Sequence, residues 1–124
     1  MTTPDRIASQ AAERVRQFNH ATIVTGDSWQ YPPHAYAAIG QLAHLARMLP
    51  QAIEQTALPV EHTHKAGRVL IDGGSDPAPA VEHLREAVKT ASDIAGLLAQ
   101  ALDHVHSASR SMGLDTRGLP EFED

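Results

Sequence analysis

The 124-residue sequence contains no cysteine. Disulfides, thiolate zinc sites and cysteine nucleophiles are therefore excluded, and a reducing compartment fits. Aromatic residues are scarce: one Trp, two Tyr and two Phe. No window approaches the roughly 18 unbroken apolar residues of a membrane-spanning helix. The opening Met-Thr-Thr-Pro-Asp-Arg has neither the basic region nor the apolar stretch of a secretory signal. These absences predict a cytoplasmic protein without membrane contact. Clusters of positive charge are lacking as well: the ten Lys and Arg are scattered without a run of three, and the formal charge is −5. Phosphate backbones require grouped cations, so no nucleic-acid partner is expected. The eight histidines are many for this length, and protonating all of them would reverse the sign of the formal charge.

What the sequence does have is helical periodicity. Thr3 is a suitable N-cap, Pro4 suits a first helical position, and Asp5 complements the positive end of the helix dipole. Ala8, Ala11, Val15 and Phe18, with Ile7 beside them, recur on one face. The first helix is predicted to fade near Asn19 or shortly after, ahead of Gly26-Asp27-Ser28. A loop over 26–33 ends in Pro32-Pro33. The second helix is predicted from Pro33 to Thr56, with Ala35, Ile39, Leu42, Ala46, Leu49 and Ile53 facing inward. Ala38, Leu45 and Ala52 widen that stripe. Pro50 interrupts it, so a kink around Ala46 to Pro50 or a restart at Pro50 is expected. After a break at Leu58-Pro59, residues 60–71 read as a short helix, because a lone strand would have no partner. Asp72-Gly73-Gly74-Ser75 is a turn.

The strongest pattern is the last. Asp76 is a cap, Pro77 suits the first turn, and Val81, Leu84, Val88, Ala91, Ala95, Leu98, Leu102 and Val105 follow at alternating spacings of three and four. Ser109 breaks this stripe, Met112 resumes it, and Gly113 suits a C-terminal cap. Ala87, Ile94, Ala101 and Ala108 flank the stripe and make the apolar face broad, as in a helix with two neighbours in a bundle rather than a two-stranded coiled coil. The expected fold is all-α: an up-and-down bundle of three to four helices with one long C-terminal helix. One domain is expected over residues 1–112, followed by a mobile acidic tail over 113–124. The last helix outruns the others, so part of its stripe is expected to be covered by a second copy, most simply in a dimer.

Candidate sites are few. Phe18, Trp29, Tyr31 and Tyr36 bring four of the aromatics between residues 18 and 36. They read as a hydrophobic plug at one end of the bundle. Alternatively, Trp29, Tyr31 and Tyr36 form a contact surface for an unidentified protein partner, because Trp and Tyr dominate binding hot spots. Two His-x-His pairs occur, His62/His64 and His104/His106. On a helix, residues two apart diverge by about 200° and cannot share a metal. The second pair reads as solvated surface. His62 and His64, with Glu61 supplying the Glu-x-x-His spacing of di-metal bundles, are the metal-binding alternative. No Ser or Asp companion of the histidines and no Gly-x-Ser-x-Gly elbow suggests nucleophilic catalysis. The expectation is a protein that is not an enzyme, needs no cofactor, and acts by self-association and protein contact.

Two stretches carry a resemblance: Trp29-Gln-Tyr-Pro-Pro-His-Ala-Tyr-Ala-Ala-Ile-Gly-Gln-Leu42, and Asp72-Gly-Gly-Ser-Asp-Pro77 leading into the Ala-rich helix. Together they resemble small uncharacterised helical proteins of actinobacteria, some in mobile-element or phage-like settings. The resemblance spans about residues 29–112 and implies a helical fold without a known activity.

Overall fold

The computed structural model describes residues 2–122. Four α-helices follow one another, α1 Pro4–Ala21, α2 Pro32–Gln55, α3 Leu58–Lys65 and α4 Pro77–Ser109, with a 3₁₀ turn at Pro120–Phe122. This is the all-α helical bundle with a long C-terminal helix that the periodicity predicts. Contacts divide the chain into two units, Met1–Ala35 with Met112–Asp124, and Tyr36–Ser111. No helix among the described residues is long and apolar enough to cross a membrane.

In the first unit, α1 starts as expected after an extended Thr3, although the Thr3 side chain makes no capping bond. The helix closes at Thr22, whose hydroxyl donates to the Phe18 carbonyl at 2.8 Å. No residue of α1 is buried. Of its predicted inward face, Ile7, Ala8, Ala11 and Val15 are exposed and Phe18 is half-buried.

In the second unit, α2 and α4 run antiparallel, as their cross-contacts require: Tyr36 meets His106, Arg47 meets Asp103, and Glu54 meets Ser92. Pro50 lies inside α2, which runs through it unbroken; of the two alternatives, a kink or a restart, this removes the restart. α3 begins at Leu58, two residues before the predicted segment, because Pro59 fits its first turn. Its C-terminus closes when Gly67 N–H donates to the His64 carbonyl and Arg68 N–H to that of Thr63, the paired bonds of a Schellman ending. Asp76 caps α4 as predicted, its carboxylate accepting from Ala78 N–H at 3.0 Å. The far end differs from expectation: α4 stops at Ser109, with Arg110 rather than Gly113 at the cap. There the ladder tightens, Arg110 N–H reaching only to Ser107, and the Ser109 hydroxyl donates to the His106 carbonyl at 2.8 Å.

The packing seam is a second correction. Along α4 the buried residues are Val81, Ser92, Ala95, Ala99 and Ser109. Leu84, Val88, Leu102 and His106 are half-buried on the same line, whereas Ala91, Leu98 and Val105 of the predicted stripe are exposed. On α2 the fully buried residues are Ala43 and Ala46, each 1% exposed. The larger Ile39, Leu42, Leu45, Leu49 and Ile53 are only half-buried. Apart from Val81, the buried residues of the inner seam are therefore alanine and serine. The buried positions of both helices are mostly small, and the larger side chains lie half-buried at the margin of the seam. A buried serine is tolerated here because Ser92 Oγ donates to Glu54 Oε1 at 2.8 Å.

Candidate functional site

The rotation of the seam leaves a second row on α4. Ala87, Ala91, Ile94, Leu98, Ala101 and Val105 follow one another at spacings of four and three, and all are exposed. Ile94 is 59% exposed, and Leu98 and Val105 are each 47% exposed, with Leu97 beside them. The row runs parallel to the inner seam on an adjacent face and extends about 27 Å at 1.5 Å per residue. Scattered apolar residues on a surface need no explanation, but this row is continuous and has coiled-coil spacing. The signal was present in the sequence as the flanking Ala87, Ile94, Ala101 and Ala108. It was read there as breadth of one stripe, whereas α4 carries two.

No two of the three aromatics predicted as one surface share a ring partner. Trp29 packs edge-on to Phe18 at 6.0 Å, and its backbone pairs with Gly26 in both directions. Tyr31 contacts the His34 ring at 5.7 Å and the Phe122 ring at 6.1 Å. His34 Nδ1 in turn accepts from Gln30 N–H and Tyr31 N–H at 3.0 and 3.1 Å, which pins the approach to α2. Tyr36, in the second unit, is stacked on His106 with ring centroids 4.2 Å apart. His106, read from the sequence as a solvated histidine, is thus half-buried.

The His106 ring sits against Gly40. A Cβ at that position would lie 3.0 Å from His106 Nε2, so glycine leaves the space the imidazole occupies. Tyr36, Gly40, Gln41, His44, Arg47 and His106 line an open groove of about 550 Å3. Gly40→Leu is expected to destabilise the second unit by about 1–3 kcal/mol, the usual cost of overpacking. Combining it with His106→Ala is expected to restore most of the loss. Urea unfolding of the two single variants and the double variant checks this, since additive losses would mean that the two residues do not meet.

The three residues of the metal alternative, Glu61, His62 and His64, line one open groove with Arg85. His62 and His64 lie on a helix, where they diverge, and His62 is exposed while His64 is half-buried. Glu61 is engaged elsewhere: its carboxylate accepts two bonds from the Arg85 guanidinium, at 2.5 and 2.6 Å, joining α3 to α4. Among the described residues no three His, Asp or Glu side chains are grouped to hold an ion. Arg85 was not singled out in the sequence, because nothing local links it to a residue 24 positions earlier.

The Arg85 hydrogen bonds hold the Glu61 carboxyl below its ordinary range, with Arg85 and His64 adding favourable charge. A carboxyl depressed in the folded state stabilises above its unfolded pKa, and that contribution is lost as the pH falls through the folded value. The urea midpoint is therefore expected to fall below about pH 4.5 more steeply in the wild-type chain than in Glu61→Gln. Parallel acid limbs would show that the pair is too well solvated to matter.

No known protein family, curated protein or solved structure matches the chain. Function must be argued from these surfaces.

Proposed function

We propose that this protein is a non-enzymatic helical module of the cytoplasm. It works by associating with a second copy of itself, most simply as a dimer, and through that assembly with protein partners. The observation that carries the proposal is the outer row of α4, in which Ile94, Leu98 and Val105 are spaced for a helix partner yet exposed. An identical row on a second chain is self-complementary about a two-fold axis. Pairing the rows removes apolar surface at roughly 25 cal/mol per Å2. α1 supplies another uncovered amphipathic face through Ile7 and Val15.

One helix pair over this length is smaller than the roughly 1,200–2,000 Å2 of a standard interface, so the expected affinity is on the order of micromolar. Sedimentation velocity across the micromolar range is the test. Monomer at the low end and dimer at the high end are expected. A monomer throughout, at concentrations well above the expected dissociation constant, would remove the reading.

A further inference from the structure

Residues 115–122 fold on themselves without help from a helix or strand. The Asp115 carboxylate accepts from Arg117 N–H at 3.0 Å and from the Arg117 guanidinium at 2.6–3.1 Å. Gly118 then takes a positive φ of 78°, a conformation that favours glycine, and Leu119 N–H closes the turn onto the Thr116 carbonyl at 3.1 Å. The Pro120–Phe122 turn follows directly, closed by Phe122 N–H on the Leu119 carbonyl at 3.1 Å. Two consecutive turns thus deliver one aromatic ring, Phe122, edge-on to Tyr31 at 6.1 Å and 77°.

The receiving side is equally prepared. Tyr31 is held where the chain enters α2, its N–H bonded to His34 Nδ1 and its carbonyl accepting from His34 N–H at 2.9 Å. The His34 ring lies tilted against the Tyr31 ring. Both partners belong to the same unit. The contact is small, because Phe122 remains exposed while Tyr31 is half-buried. Residues 112–116 leading to the turn have no regular secondary structure. A preformed platform, a preformed turn and an irregular connection are the parts of an exchangeable clasp, in which little ordering entropy opposes rebinding.

We propose that the Tyr31–His34 corner is a docking site for a peptide that presents phenylalanine on a tight turn, occupied in cis by residues 115–122. The partner it fits is a protein segment of that same chemistry, which must displace Phe122 to bind. This inference is independent of the α4 row and survives if the chain is monomeric.

The test uses the full chain. Phe122→Ala empties the corner without touching the receiving residues, and its far-UV circular dichroism reports the fold. A fluorescently labelled peptide of residues 114–122 is titrated with that variant and read by anisotropy. Saturable binding is expected. The wild-type chain should bind roughly tenfold more weakly, because its own clasp competes at an effective concentration in the millimolar range. A peptide with Phe122→Ala should not bind. Adding Tyr31→Ala to the receptor should abolish binding, while Tyr31→Phe, which keeps the ring, should retain it and so separates loss of the site from loss of the fold. No saturable binding to the Phe122→Ala chain, or equal binding by that chain and its double variant with Tyr31→Ala, would overturn the proposal.

Discussion

Ala46→Leu is expected to be the most damaging single substitution in the second unit, although it adds only apolar volume. Ala46 is 1% exposed and sits in the seam between α2 and α4. At a site this buried the three added carbons cannot turn out to solvent, so the helices are expected to separate or the leucine to leave its preferred rotamer. Overpacking of this kind typically costs about 1–3 kcal/mol. For a domain of this size that corresponds to a fall of roughly 4–8 °C in Tm for each kcal/mol. Separation would also expose the other buried alanines, Ala43, Ala95 and Ala99, so the loss is expected at the upper end. Ala101→Leu supplies the control. It makes the same change on α4, but on the exposed outer row, and is expected to leave stability within about 0.5 kcal/mol of wild type. Thermal unfolding of the two variants side by side checks the contrast. Equal losses would mean that the small-residue seam is not the packed face.

The outer row makes the opposite prediction. Ile94→Glu with Leu98→Glu is expected to leave the helical fold intact, since both positions face solvent in the single chain and glutamate is a good helix former. Self-association is expected to be lost. Full burial of Ile or Leu is worth about 1.5–3 kcal/mol each, and a two-fold interface contains every substituted position twice. Placing carboxylates there also brings like charges together. The dissociation constant should rise at least about a hundredfold, which takes the dimer out of the micromolar range. Circular dichroism reports the first half of this expectation and sedimentation equilibrium the second. A double variant that unfolds would place these residues in the core. One that still dimerises would place the interface elsewhere.

The contrast between these two predictions marks where the sequence was legible. Helix existence and the start signals were readable, because proline at a first turn and a capping aspartate act locally, as Pro77 and Asp76 do. The long reach of α4 was readable from its spacing. Its inner face was not. The apolar residues of α4 cover more than one face, and hydrophobicity alone ranks Leu98 above Ser92 and Ala99. Burial ranks them in reverse: Ser92 and Ala99 are buried and Leu98 is exposed, while Ala43 and Ala46 are the buried residues of α2, an arrangement that no single-helix pattern reveals. Ser109 interrupts the predicted stripe and Ser92 lies outside it, yet both are buried because their hydroxyls find partners: Ser92 reaches Glu54, and Ser109 bonds to the carbonyl of His106.

The candidate sites divide in the same way. Trp29, Tyr31 and Tyr36 were recognisable as residues with something to contact, but their partners Phe18, Phe122 and His106 lie far along the chain or on another helix. Glu61 looked like a ligand because its spacing to His64 is local, whereas the Arg85 that engages it comes from α4. Gly40 gave no signal at all, since the space it leaves matters only once His106 is known to fill it.

The absence of cysteine makes one measurement especially direct. Single thiols are introduced by Leu98→Cys and by Ala99→Cys, adjacent residues on opposite sides of the proposed division of α4, and their labelling rates are followed as the protein is concentrated. The expected result is fast labelling at Leu98 in dilute solution that slows as the chains pair, with slow labelling at Ala99 throughout. A Leu98 thiol as protected as the Ala99 thiol in dilute solution, or one that stays fully reactive at every concentration, would contradict the account.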